Sequence, residues 1–486
     1  MTTAQTTIAQ MTATQTEAGE RPGRTALFKA RDKVYPKAVQ GRFRRLKWTA
    51  LFVLLAIYYV VPWLRWDRGP DAPDQAVLID MAGQRAYFFF IEIWPQEVYY
   101  LTGLLVMAAI GLFLVTSLAG RLWCGYACPQ TVWTDLFMWV ERRIEGDRSA
   151  RIRLDRSPMS ARKAARKLAK HAAWLLIALL TGGSWVLYFG DAPTLVADAA
   201  RFQLSGTVVF FVGLFTATTY LLAGWAREQV CTYMCPWPRI QAAMIDEDSL
   251  IVTYQAHRGE PRGAKRKDQS WDARGDCIDC GECVKVCPVG IDIRDGQQLE
   301  CIGCGLCIDA CDTIMDRIGR PDDLIRFDTL ANQVARAAGR PPRVRLMRPR
   351  TVVYALLLLV VAALMVGMLV LRPRLEIGVL RDRAPLYVTL ADGSVRNAYT
   401  LKISNMTREA RTYALGAGGV PAGALEVVGA DPSALSARPD RVSTYRVFVT
   451  APGTGLAPST PVVFELRDAR TGETARYDAV FLAPAD

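Results

Sequence analysis

Apolar residues gather into five runs near the length needed to cross a bilayer core at about 1.5 Å of rise per residue. They are Trp48–Leu64, Val98–Gly120, Ala172–Phe189, Gly206–Trp225 and Val352–Leu371, the first and third being short. Polar and basic residues fill positions 1–47, and no small-residue cleavage site follows the first run, so it is expected to stay as a helix. Residues 1–23, rich in Thr, Gln and Ala without periodicity, read as a disordered tail. Beyond Arg372 the pattern shifts to short strand-like stretches, among them Tyr399–Ser404, Ser443–Thr450 and Ala475–Leu482, separated by Gly, Pro, Asp and Asn. That spacing predicts a β-sandwich of immunoglobulin-like type.

Charge orders these pieces. The net charge of +12 could suggest nucleic acid, but Lys and Arg concentrate beside the apolar runs. Ten precede the first run and twelve lie in 121–171, against three in 65–97 and one in 190–205. The positive-inside rule then puts the N-terminus, 121–171 and 226–351 in the cytoplasm and the C-terminal region outside. All twelve cysteines fall in the segments assigned to the cytoplasm. Thiols stay reduced there, so they are expected to be metal ligands or redox thiols rather than disulfides.

The cysteine spacing carries the chemistry. Cys277-x2-Cys280-x2-Cys283-x3-Cys287-Pro288 is a bacterial ferredoxin run, and Cys301-x2-Cys304-x2-Cys307-x3-Cys311 repeats it. In two-cluster ferredoxins the fourth cysteine of each run ligates the other cluster. Cluster I is therefore assigned to Cys277, Cys280, Cys283 and Cys311, and cluster II to Cys301, Cys304, Cys307 and Cys287. Gly281 and Gly305 let backbone approach the sulfides. Asp312 stands where the first run has proline, which is expected to alter the local turn. Zinc sites usually take four ligands in two pairs, which disfavours zinc here.

A second repeat follows the second and fourth apolar runs: Cys124-Gly-Tyr-Ala-Cys128-Pro129 and Cys231-Thr-Tyr-Met-Cys235-Pro236, preceded by Ala119-Gly120 and Ala223-Gly224. Thiols four residues apart share a helical face, and the prolines are expected to end the helix, leaving the thiols accessible. Together Cys124, Cys128, Cys231 and Cys235, with the Met234 thioether, are soft ligands suited to Cu(I), or redox thiols; the plainer alternative is small buried packing residues. Only His171 and His257 occur, neither inside an apolar run, which argues against haem; His171 is expected to snorkel at a helix start. Tryptophans at the run edges read as an interfacial belt rather than a quinone site.

With these residues in view, the chain resembles the FixG/RdxA/CcoG family, membrane-bound accessory proteins of cbb3-type cytochrome c oxidase assembly. Trp123–Gln130, Cys231–Trp237, Cys287–Asp292, five helices and the outer sandwich carry the resemblance over nearly the whole chain. The two C-x3-C-P elements are also similar to those of four-helix ferredoxin proteins of quinol-linked nitrate and nitrous-oxide systems. The expected domains are a basic tail (1–47), a four-helix membrane core (48–245), a two-cluster [4Fe-4S] ferredoxin domain with basic linkers (246–350), a fifth helix (352–371) and a periplasmic sandwich (375–486). The resemblance implies an inner-membrane cupric reductase that supplies Cu(I) to the oxidase, with oxidase subunits or copper-delivery proteins as partners. The electron donor is either cytoplasmic or a quinol. Membrane lipid is a further partner, a homo-oligomer is compatible, and nucleic acid is not expected. The rivals are a quinol-linked electron conduit and a copper chaperone or scaffold with structural clusters.

Overall fold

The computed structural model describes residues 33–484 apart from 70–71, 265–270, 272–273, 421–423 and 454. The expected disorder of residues 1–23 lies outside these.

Among the described residues, five helical segments are long and apolar enough to cross a membrane: Arg42–Trp63, Pro95–Ala119, Ala161–Phe189, Gly206–Ala226 and Pro349–Val370. They are built on α1 (Arg42–Val60), α2 (Tyr99–Ala119), α6 (Ala161–Val186), α8 (Gly206–Thr219) and α13 (Pro349–Val370). Three are joined to shorter helices on one side of the bundle: α3 (Leu122–Tyr126), α4 (Pro129–Glu145), α5 (Arg148–Arg156) and α9 (Trp237–Met244). On the opposite side lies α7 (Ala192–Ala200).

Most apolar side chains of the spans face outward; none of the apolar window of α13 is buried, as a lipid-facing helix requires. Small residues allow the close approaches. Gly103 on α2 leaves the space that Met365 of α13 fills, and a Cβ at Gly182 on α6 would lie 2.7 Å from the Thr216 backbone nitrogen of α8.

Helix α1 starts at Arg42, six positions before the apolar run, and residues 33–41 are ordered where a basic tail was expected. This strap lies over the neighbouring domain. The Lys37 amide donates to the Lys285 carbonyl at 2.8 Å, the Tyr35 hydroxyl to Asp155 at 2.7 Å and the Ala38 amide to Asp147 at 2.9 Å.

The segment read as a basic linker instead opens with a buried strand. β4 (Ile251–Tyr254) pairs antiparallel with β5 (Ile325–Asp328), and between them lie α10 (Glu282–Val286) and α11 (Leu306–Ile318), followed by α12 (Leu330–Ala337). His171 is a second departure. It sits within α6, its Nδ1 2.8 Å from the Tyr220 hydroxyl and its ring stacked on Trp225, rather than at a helix start.

On the far side, the loop at 65–97 folds into a small sheet of β1 (Val77–Asp80), β2 (Arg85–Phe88) and β3 (Ile91–Ile93), an element its sequence did not announce. After α13 comes the immunoglobulin-like sandwich. One sheet orders β10 (Ala424–Val427), β12 (Arg441–Ala451), β8 (Val395–Asn405) and β6 (Leu375–Arg381), with β7 (Val388–Thr389) on β8; the other orders β11 (Leu435–Ala437), β9 (Arg411–Gly418), β13 (Ser459–Asp468) and β14 (Thr474–Leu482). Strand β8 alternates buried and half-buried positions through most of its length, as a one-sided strand must. Tyr399 and Phe464 meet edge-to-face at 5.0 Å in the core. The sandwich rests on the small sheet: Arg372 donates to the Glu92 carbonyl at 2.8 Å and lies 3.3 Å from Glu97.

Candidate functional site

The two ferredoxin runs fold into nearly matched loop-helix units. Gly281 and Gly305 are the N-caps of α10 and α11, both left-handed, with φ of 67° and 71°. A side chain is strained at that φ, and at Gly305 a Cβ would also sit 2.8 Å from the Phe43 ring.

The units differ at their ends. Cys287 leaves α10 in an extended conformation before Pro288, which cannot continue the helix, whereas α11 runs on through Cys311 and Asp312 to Ile318. Asp312 thus extends a helix rather than making a turn, and its carboxylate accepts the Asp323 amide at 3.0 Å. Burial, then the nearby Asp322 and Asp323 carboxylates, push Asp312 up to about 6.

Two small cavities result. Cys277, Cys280, Cys283 and Cys311 line one; Cys287, Cys301, Cys304 and Cys307, with Cys283 at its edge, line the other. Each cavity thus draws cysteines from both runs. Burial pushes the Cys283 and Cys301 thiols up to about 11 and Cys287 up to about 12. Thiols so buried and so close are comfortable as thiolates only when bonded to metal, so the residues fit [4Fe-4S] clusters. Such clusters supply one-electron storage. Apolar side chains, including Ile293, Ile308, Leu324 and Ile325, are buried around the thiols and exclude water. Beside Cys277, the Asp276 carboxylate is buried and held by Arg258 at 2.7 Å and by Arg320.

The first C-x3-C-P motif stands against the loop that lines the second cavity. Cys124 is on α3 and packs against the buried cluster of Val286, Ile302, Cys304, Leu306 and Ala310. A Cβ at Gly125 would lie 3.0 Å from the carbonyl oxygens of Ile302 and Gly303 and 3.1 Å from Cys304 Cα, so only glycine lets the two backbones meet. The next residue, Tyr126, donates its hydroxyl to the Cys304 carbonyl at 3.0 Å. Arg121, buried, donates to the carbonyls of Leu299, Cys301 (3.0 Å) and Pro238 (2.6 Å), bolting the Cys301 loop to the start of α9.

Cysteine-proline does not simply end a helix in these motifs. Cys128 is the extended N-cap of α4, with Pro129 at its first position, and Cys235 is extended before the turn that opens α9. Cys231 lies on a π-helical turn, Val230–Met234, preceded by another at Tyr220–Ala226. Such wide turns are rare and cluster at functional positions.

Burial, then the field of Cys128, pushes the Cys124 thiol up to about 12, with Cys231 and Cys235 contributing; burial and Cys128 likewise push Cys231 up to about 11. The Cys124 thiol lies 3.2 Å from Gln241 Oε1. The four thiols thus share one neighbourhood, yet among the described residues no three His, Cys, Asp or Glu side chains converge tightly enough to hold a single ion as they stand. Met234 is 63% exposed beside them.

Sequence reasoning did not single out Arg121 or Gln241. Tyr126 and Tyr233 were visible as repeat partners, but Tyr126 is buried whereas Tyr233 is 69% exposed.

Comparison with known proteins gives the family of the chain. Residues 226–330 match a 4Fe-4S dicluster domain, 101–146 a 4Fe-4S binding domain, and 365–484 the Ig-like fold at the C-terminus of FixG. The nitrogen fixation protein FixG of Rhizobium meliloti is 50% identical over 462 residues, covering 88% of each chain. RdxB of Cereibacter sphaeroides is 49% identical over 94% of this chain and 97% of its own. The chain belongs to the FixG/RdxA family. RdxA of the same organism, 50% identical, covers 91% of this chain and 94% of its own. Among solved structures, a FixG-related protein from Vibrio parahaemolyticus aligns over 23% of this chain and 99% of its own, at 23% identity and a TM-score of 0.21. As a FixG/RdxA member the chain is an iron–sulfur redox protein of the membrane.

Proposed function

We propose that this protein is a cupric reductase: electrons held at the ferredoxin domain pass through the Cys304 loop to Cu(II) bound by Cys124, Cys128, Cys231 and Cys235. The observation that carries the reading is the direct backbone contact between Gly125-Tyr126 and the Cys304 loop, which brings a soft-ligand motif against a cluster cavity. An electron leaving that cavity meets sulfur first, and thiolates favour Cu(I) over Cu(II).

Each Cu(II) takes one electron to become Cu(I). A cytoplasmic reductant or a membrane quinol replaces that electron. The chain's own residues do the rest: Arg121 and Tyr126 hold the two motifs in register, and the π-helical turn before Cys235 supplies the slack by which the thiols close on an ion. Met234 joins on closure. The Lys and Arg distribution supports a cytoplasmic location for this face in a bacterial inner membrane, with the sandwich in the periplasm as a docking module for oxidase subunits or copper-delivery proteins.

The test is anaerobic reduction of Cu(II) by the dithionite-loaded protein. Cys124→Ser with Cys231→Ser is expected to slow reduction at least about tenfold and weaken copper binding while leaving iron content intact. Unchanged copper handling in that variant would overturn the assignment.

A further inference from the structure

A groove with a volume of about 1030 Å³ runs along the cluster-bearing side of the membrane core, between α1, α4 and the loop that follows Cys287. Its floor is apolar and reaches into the span: Trp48 stacks on Phe52 at 5.5 Å and meets Trp139 edge-on at 6.2 Å, and Phe52 is 64% exposed. Its rim is basic. Five cationic side chains line it (Lys37, Arg44, Arg45, Arg142, Arg143) against two carboxylates, Asp135 and Asp147.

Neither carboxylate satisfies the excess. Asp135 is taken up by Arg44, whose Nη1 reaches both oxygens at 2.9 Å, with Lys47 at 3.9 Å on the other side. Asp147 accepts the Ala38 amide at 2.9 Å, and Lys37 pairs outward with Glu282 at 2.7 Å. That leaves Arg45, Arg142 and Arg143 without an ion pair among the described residues; Arg143 lies over the Trp139 ring at 5.3 Å. Arg44 itself is 7% exposed, and its Nη2 is buried with no hydrogen-bond partner. A buried guanidinium with an unmet donor costs free energy unless something accepts from it. Burial and the like charges of Arg44 and Arg151 hold the Arg142 guanidinium below its usual range despite Asp135, as expected for a cation missing its counterion.

We propose that this groove binds an anionic phospholipid of the adjoining leaflet, its phosphate among Arg44, Arg45, Arg142 and Arg143 and an acyl chain along Trp48 and Phe52. A phosphate diester supplies several acceptor oxygens and the missing negative charge, whereas a neutral quinone head supplies no charge. The apolar floor continuing down α1 selects a lipid over a soluble phosphate. Val286, Pro288 and Leu306 form the inner wall, so the bound headgroup also seats the dicluster domain against the membrane surface.

The test uses full-length protein purified in mild detergent and read by native mass spectrometry with phosphatidylglycerol, phosphatidylcholine and a prenyl quinone as probes. Wild type is expected to retain one phosphatidylglycerol through delipidation, and millimolar inorganic phosphate should not displace it. Arg45→Gln with Arg142→Gln and Arg143→Gln is expected to lose retention on the order of a hundredfold, about fivefold per arginine, with iron content unchanged. Arg340→Gln with Arg345→Gln, exposed and outside the groove, should keep it. If the triple variant fails to fold, Arg143→Gln alone should still lose about fivefold. Equal retention of phosphatidylcholine, displacement by inorganic phosphate, preference for the quinone, or unimpaired retention in a folded groove variant would each overturn the proposal.

Discussion

The Tyr126 hydroxyl donates to the Cys304 carbonyl at 3.0 Å, so a motif that follows a membrane helix and a loop that wraps a cluster cavity share a hydrogen bond. At Gly125, one residue earlier, the two backbones touch. Gly125→Ala must move one of them, and neither is a flexible side chain. It is expected to cost about 1–3 kcal/mol of stability and to slow Cu(II) reduction without altering copper affinity. Tyr126→Phe, which removes the hydrogen bond alone, is expected to cost about 1 kcal/mol. Thermal melts and single-turnover reduction distinguish the two; equal reduction rates in both variants and wild type would show that the contact is not on the electron path.

Crossed ligation makes a second expectation. Cys280→Ser and Cys311→Ser, in different runs, should lose the same cluster, and Cys287→Ser should instead resemble Cys304→Ser. Each is expected to lose about half of the iron. EPR of the reduced variants checks the pairing, and a Cys287→Ser spectrum matching that of Cys280→Ser would contradict it.

Asp309 makes a third. Lying on α11 between Cys307 and Cys311, it accepts the Phe43 amide at 3.1 Å and the Arg44 amide at 2.7 Å, capping the first turn of α1. Asp309→Ala is expected to destabilise this docking by about 1–2 kcal/mol, as for other lost N-caps. Faster proteolysis within residues 33–41 in the variant would report it; an unchanged digestion pattern would argue against the cap.

A fourth concerns the far side. Burial, then Asp440 of the sandwich, pushes Glu92 up to about 7, although Arg85 at 2.8 Å pulls the other way. A carboxyl raised in the folded state binds more protons there than when unfolded. The contribution is therefore present at acidic pH and is lost as pH rises toward and through 7. Contact between the small sheet and the sandwich is expected to loosen as pH rises from the ordinary carboxylate value of about 4.5 to about 7, and Glu92→Gln to abolish the dependence. Hydrogen exchange in β3 measured across that range is the check.

Much of this was written plainly in the chain. Ligand runs show in sequence because cluster chemistry fixes cysteine spacing within a few residues, and membrane spans show because lipid demands long apolar stretches. Features set by distant contacts did not show. Arg42, Arg44 and Lys47 read as flanking charges, yet they begin α1, because Asp309 and Asp135 lie against them in the fold. Residues 33–41 lack any periodicity and are held by amides and side chains that pair with α5 and α10 and by Val39 packing beside Leu306 and Ala310. The sheet at 77–93 is made of strands of three or four residues, too short for alternation to register.

Order of synthesis gives the Asp309 cap a further consequence. Helix α1 is translated well ahead of its cap, and the carboxylate that completes its first turn follows some 266 residues later. That carboxylate sits on the helix that also carries Cys307 and Cys311, so the cluster these cysteines would hold and the cap of α1 share one helix. The first turn of α1 is thus tied to the helix that would carry the cluster, so iron scarcity should surface as a defect in seating this membrane helix as well as of redox activity.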